Sequence, residues 1–293
     1  MKKRKKKRYD SVDIVSFVCL TVFAILIVIP FWNAIVISFE TESAYIRAPF
    51  SWLPGEFTLT NYEYMLEHAE GLITAYKNTI KIAVVGTVLG MSLMTAVAYC
   101  FSRKFPGKKV LFYIMLFTMF FGGGLVPKYL LIKNMGLLNT HAAIILMSLA
   151  SVHNIIVMKN GFESIPNDLP EAAMIDGASD LVIFSKVMLP LQKPMIATFS
   201  LFHVVGAWNN WYWPTLILNS SDKAVLQVFL RTLLANAGGS AIAESSMGNL
   251  SDNIYSMGIQ MAAVFIVMLP IMLVYPFLQK YFVKGVLVGS VKM

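Results

Sequence analysis

The chain has 293 residues, of which 57% are hydrophobic and only 14% charged, and its mean hydropathy is +0.66. An ordinary soluble domain carries about 25% charged residues, so these values exclude a water-soluble globular enzyme and indicate a polytopic membrane protein. The net charge of +8 does not indicate nucleic acid. Seven of the basic residues, Lys2, Lys3, Arg4, Lys5, Lys6, Lys7 and Arg8, form one run directly before an apolar stretch, where they read as an orientation signal.

In chain order, six stretches come near the roughly 20 apolar residues that a membrane crossing requires. They cover about residues 14–39, 79–101, 110–132, 142–158, 195–218 and 257–283. The first is too long for a signal peptide, and no small-residue cleavage site follows Pro30-Phe31-Trp32, so it reads as an anchor. The third and fifth contain Gly122, Gly123, Gly124 and Pro127, and Gly206 and Pro214, which membrane helices tolerate when neighbours satisfy the freed backbone. With the N-terminus inside, seventeen of the 24 Lys and Arg residues fall on the inner side, which favours both termini inside. Cys19 and Cys100 lie in apolar stretches and read as inert buried thiols, with neither disulfide nor zinc spacing.

Three connections are long: residues 40–78 and 219–256 outside, and 159–194 inside. The first is acidic, with Glu40, Glu42, Glu56, Glu63, Glu67 and Glu70 against Arg47 and Lys77. The inner one has its own helical signals. Asp168 is suited to an N-cap with Glu171 three residues on, in the pattern of a capping box, and Pro170 fits the first turn. Gly177 supplies the left-handed position that ends a helix after two turns. A second short helix can start near Ser179 and stop before Pro190. Ala172 and Ala173 offer a small-residue surface that either admits another protein or lies against the bundle.

Glu171-Ala172-Ala173, Asp176-Gly177-Ala178, then Phe184, Val187, Leu189-Pro190 and Pro194 resemble the EAA motif of ABC importer permeases. The resemblance covers the whole chain and is strongest to MalG-like carbohydrate permeases. Phe121-Gly122-Gly123-Gly124-Leu125-Val126-Pro127 and residues 133–140 resemble the complex-oligosaccharide subgroup, including the smaller permeases of alginate importers. The resemblance implies an all-α, polytopic membrane bundle of six transmembrane helices with the type I importer (MetI-like) fold. It divides the chain into a basic cytoplasmic N-terminus (1–12), a first transmembrane helix with its outer loop (13–76), a permease core of five transmembrane helices (77–283) with the coupling loop at 159–194, and a cytoplasmic tail (284–293).

The same resemblance implies that Glu171, Ala172, Ala173, Asp176, Gly177 and Ala178 couple the chain to a cytoplasmic ATPase. The implied partners are a second homologous permease subunit, two ATP-binding cassette subunits, an extracytoplasmic sugar-binding protein, membrane lipids and an oligosaccharide substrate, with no nucleic acid. The implied location is the cytoplasmic (inner) membrane of a bacterium. The chain has no P-loop: Gly107-Lys108-Lys109 lacks both the upstream glycine and the following Ser or Thr. No cofactor is therefore expected on this chain, and ATP and magnesium would reside on the partner ATPases.

For the translocation path, span five holds His203, Trp208, Asn209, Asn210, Trp211, Tyr212 and Trp213. Aromatic faces can stack on sugar rings and amides can bond sugar hydroxyls; the same pattern fits an interfacial aromatic belt. His203 reads as facing the bundle interior, where it bonds a neighbouring helix or lines the path. The loop around Gly238, Gly239 and Ser240 is either a binding-protein contact or a solvated connector. Two other functions remain at this stage: an ABC permease for another solute class, and a secondary transporter or membrane enzyme. The second would need intramembrane carboxylates, and the six stretches hold no central Asp or Glu.

Overall fold

The computed structural model describes residues 11–67, 69–238 and 257–273. Among these, regular structure is helical apart from one isolated antiparallel bridge, Glu40 to Phe57. The chain divides into two compact units, residues 1–69 with 233–267, and residues 70–232 with 268–293.

In the first unit, α1 (Ser11–Ser38) has 28 residues, about 42 Å at 1.5 Å per residue, enough to cross a hydrocarbon core of about 30 Å. Its apolar side chains from Val12 to Trp32 are largely exposed, as a lipid-facing surface requires, and only its last turn is buried. A folded cap follows, with α2 (Glu42–Arg47) and α3 (Thr60–Glu67). Asn61 Nδ2 donates to the carbonyls of Ser38 and Glu40 at 3.1 and 3.2 Å, and the Gly55 N–H donates to Glu40 Oε1 at 2.9 Å. Phe39 stacks on both Phe57 and Tyr62. The acidity of this loop is partly absorbed locally. Glu40 is buried, and Glu56 pairs with Arg47 at 3.4 Å. Hydrogen bonds from the Thr41 and Ser43 hydroxyls hold the Glu56 carboxyl below its ordinary pKa.

The second unit is organised on α4 (Ala69–Ser102). One stripe of this helix is buried: Leu72, Ala75, Thr79, Ile82, Gly86, Gly90, Met94 and Ala98 recur every three or four residues. The opposite face, with Ile80, Val84, Val88, Leu89 and Leu93, is just as apolar but exposed. Hydrophobicity therefore does not select the inner face; small and hydroxyl side chains do, because they let helices approach and bond one another.

The third apolar stretch is not one continuous helix. It breaks into α5 (Lys108–Phe120) and α6 (Leu125–Asn134), which meet at 112°. The break falls on Gly122, Gly123 and Gly124. Gly124 has φ +80°, a conformation that resists any side chain. The fourth stretch is likewise divided, into α7 (His141–Ser148) and α8 (Val152–Glu163), bent by 46°. Thr140 and Ser151 cap these halves, their hydroxyls accepting from the N–H groups of Ala143 and Asn154.

The next helices are α9 (Asp168–Ile175), α10 (Asp180–Val182), α11 (Leu189–Leu191), α12 (Lys193–Trp208), α13 (Tyr212–Ile217), α14 (Leu226–Gly238) and α15 (Met257–Leu273). The fifth stretch is thus interrupted after Trp208, and the sixth is described only as far as Leu273. By length and composition, α1 and most of α4 can cross a membrane alone, and each of the two bent pairs can form a further crossing. Cys19 and Cys100 are exposed rather than buried, since both sit on the outward faces of apolar helices.

Candidate functional site

The connection between α8 and α12 starts from a fixed base. Glu163, at the end of α8, accepts from Lys159 at 2.6 Å and from Lys108, the first residue of α5, at 3.4 Å. Gln192 Nε2, just before α12, donates to the Gly161 carbonyl at 2.6 Å. The two ends of the connection are therefore stapled together, and what lies between projects from one place.

α9 begins one residue earlier than expected. Asn167 already has helical backbone angles and its carbonyl accepts from the Glu171 N–H at 3.1 Å. Asp168 is thus the first helical residue and not the N-cap, and Asn167 makes no side-chain cap bond. Asp168 and Glu171 both lie in the first turn, where negative charge complements the helix dipole. At the other end, the Ala178 N–H bonds the Ala173 carbonyl at 2.9 Å and the Gly177 N–H bonds Met174 at 3.0 Å. This is a Schellman closure, with Gly177 at φ +79° as the left-handed residue.

Two turns of helix have two faces. Pro170 is buried, and Ala173 and Ala178 pack on the cluster of Met94, Tyr99, Met158, Phe162, Ile183 and Phe199. Glu171, Ala172, Ile175 and Asp176 point the other way. Ile175 is 87% exposed and Leu181, just past the turn, 73%. Their exposure cannot come from lipid, because α9 is too short and too polar to sit in a bilayer core. An apolar tip with Glu171 and Asp176 on the same exposed face is a candidate surface for contact with another protein. Sequence reading found the glycine turn and the Glu-Ala-Ala triplet but passed over Ile175 and Leu181. The available signal was two large apolar residues standing on the face opposite Pro170 and Ala173.

After the turn, Ser179 precedes α10, and the helix does not stop before Pro190 as expected. It continues through a π-helical turn, Ile183–Met188, into α11. Proline lacks an N–H, and widening the preceding turn lets the chain pass it without ending the helix. The turn buries Ile183 and Met188 in the same cluster and places Phe184 on Tyr99, 4.8 Å between ring centres. Half-buried Arg103 lies 4.0 Å from exposed Asp180, a long pair of little energetic weight.

The residues of span five divide at the far end of α12. His203 bonds inward to two other helices: its Nδ1 lies 3.0 Å from Thr87 Oγ1, and its Nε2 2.9 Å from the Ser148 carbonyl. Trp208 is buried beside Tyr76, 6.1 Å between ring centres. Asn209 ends α12 and is exposed, and Asn210 is half-buried. Trp211 and Tyr212 are exposed, packed edge to face at 5.6 Å, and the Arg231 guanidinium carbon lies 3.9 Å over the Trp211 ring. Nearby, Asn139, at φ +56°, ties the connections together: its carbonyl accepts from Lys223 Nζ at 2.9 Å and its Oδ1 from Ser220 Oγ at 2.9 Å. Gly238 is the last residue of α14, and Gly239 and Ser240 lie outside the described residues.

Apolar helices long enough to cross a membrane, together with a short helix–glycine–helix connection, define a polytopic membrane protein. The chain belongs to the family of binding-protein-dependent transport system inner membrane components, whose profile matches residues 1–288. It is 38% identical over 281 residues to the polygalacturonan/rhamnogalacturonan transport system permease protein YtcP of Bacillus subtilis, covering 96% of this chain and 98% of that one. It is 29% identical to the arabinooligosaccharides transport system permease protein AraQ of Halalkalibacterium halodurans, over 92% of each chain. Its fold matches a chain in the crystal structure of a bacterial ABC transporter involved in import of the acidic polysaccharide alginate. That match has a TM-score of 0.83 and 30% identity, covering 94% of this chain and 100% of that one. The expected MalG-like carbohydrate permease is thus the family found.

Proposed function

We propose that this chain is one of two membrane-spanning subunits of an ATP-driven importer of oligosaccharides. It crosses the inner membrane six times with both termini inside. The observation that carries this reading is the exposed tip at Ile175 between Glu171 and Asp176, set by the left-handed turn at Gly177. A second permease subunit would complete the path, and two ATPase subunits with ATP and magnesium would drive it. The tip at residues 171–178 would insert into a cleft on one ATPase and turn its nucleotide-driven closure into movement of α12. An extracytoplasmic sugar-binding protein would deliver substrate at the opposite side, with Gly238, Gly239 and Ser240 among its contacts. His203, Trp208, Asn209, Asn210, Trp211 and Tyr212 would lie along or beside the path. The polygalacturonan/rhamnogalacturonan, arabinooligosaccharides and alginate named for the relatives support an oligosaccharide cargo.

The test is co-purification and uptake with Ile175→Glu. Burying a new carboxylate in a cleft costs several kcal/mol unless it is paired, so ATPase subunits should be lost from the purified complex and ATP-driven uptake abolished. An Ile175→Glu complex with a full complement of ATPase and wild-type uptake would sink the proposal.

A further inference from the structure

We propose that Arg231, held on Trp211, is a carboxylate-recognising subsite for uronate residues of the cargo. The inference rests on the oligosaccharide reading above and names the chemical class that this end of the path selects.

Three observations meet here. The Arg231 guanidinium carbon stands 3.9 Å from the centre of the Trp211 ring, a stacking distance that restricts a side chain otherwise rich in rotamers. Arg231 is exposed and makes no ion pair among the described residues. By contrast, neighbouring Lys223 is bound to the Asn139 carbonyl at 2.9 Å. The exposed Tyr212 ring presents an aromatic surface at 5.6 Å from Trp211, and Asn209, two residues before Trp211 in the chain, carries an exposed amide. A uronate ring needs this combination: an aromatic surface for its C–H face, amides for its hydroxyls and a planar donor fork for its carboxylate. Stacking uses the face of a guanidinium and leaves its N–H donors for a carboxylate.

Position agrees with this role. α12 starts at the end of the 164–192 connection and runs 16 residues, about 24 Å, to Trp208. The Arg231–Trp211 pair therefore stands at the opposite end of α12 from the ATPase-facing tip, where cargo would enter.

The experiment is equilibrium dialysis of the purified permease–ATPase complex against labelled trigalacturonate and against its carboxyl-reduced neutral counterpart. ATP-driven uptake is measured in parallel. Arg231→Gln should weaken trigalacturonate binding about ten- to hundredfold and leave the neutral trisaccharide within about twofold. Arg231→Lys should recover only part of the loss, because a point charge does not reproduce the stacked fork. Equal loss for both sugars overturns the inference and marks Arg231 as a packing or binding-protein residue. So does unchanged binding, or a wild-type complex with no preference for the charged sugar. A wild-type complex without ATP-driven uptake of any oligosaccharide overturns the proposed function itself, and this inference with it.

Discussion

His203 Nε2 donates to the carbonyl of Ser148 across 2.9 Å, closing the open end of α7 where the fourth apolar stretch breaks. In an unbroken helix that carbonyl would accept from residue 152. A carbonyl can only accept, so Nε2 carries a proton; Nδ1 lies 3.0 Å from the Thr87 hydroxyl, from which it accepts when the ring is neutral. Both ring nitrogens are thus engaged within the chain. His203→Ala would leave two polar groups unpartnered, at about 1–2 kcal/mol in a membrane interior. The purified complex should lose several degrees of thermal stability and keep its ATPase subunits. An unchanged melting temperature would remove the bracing role.

The same joint predicts the effect of side chains at Gly90. A Cβ there would lie 3.0 Å from His203 Nε2 and 3.2 Å from the Leu149 carbonyl. Gly90→Leu should destabilise by about 1–3 kcal/mol through overpacking, seen as a lower melting temperature. Gly206→Ala is the control: nothing lies within 4 Å of its Cβ position, and alanine in a helix interior gains about 0.5–1 kcal/mol over glycine.

If the tip at residues 171–178 couples the chain to an ATPase, Gly177→Val should uncouple transport. The residue has open space around it but φ +79°, so the obstacle is backbone strain and not a clash. Gly177→Asn, which tolerates the left-handed region, should restore much of the ATP-driven uptake. Wild-type uptake by the valine variant would show that the turn is not needed in this shape.

Deleting residues 238–246 should reduce ATP-driven uptake severalfold and spare assembly of the complex, if this outer connection reaches the binding protein. The check is uptake with and without added binding protein beside subunit stoichiometry. Uptake at the wild-type level would reduce the segment to a connector.

Sequence alone determined the class. The low charge and apolar stretches forced a membrane bundle, and the Lys and Arg bias suggested an orientation. Residues 168–178 spelled a short helix closed by glycine, because a left-handed turn at Gly177 is local chemistry, whereas the expected cap at Asp168 did not form because the helix starts one residue earlier. Tertiary structure decided what local pattern could not. Both faces of α4 are apolar, so only packing revealed that Gly86, Thr87 and Gly90 face inward. The breaks after Phe120 and Ser148 required knowing who would satisfy the freed backbone, and for Ser148 that partner is His203, 55 residues away. Trp208 and Trp211 are three residues apart, yet one is buried and the other meets Arg231. A membrane removes the alternation of polar and apolar faces that betrays orientation in water, so inner and outer faces are told apart only by the partners they find.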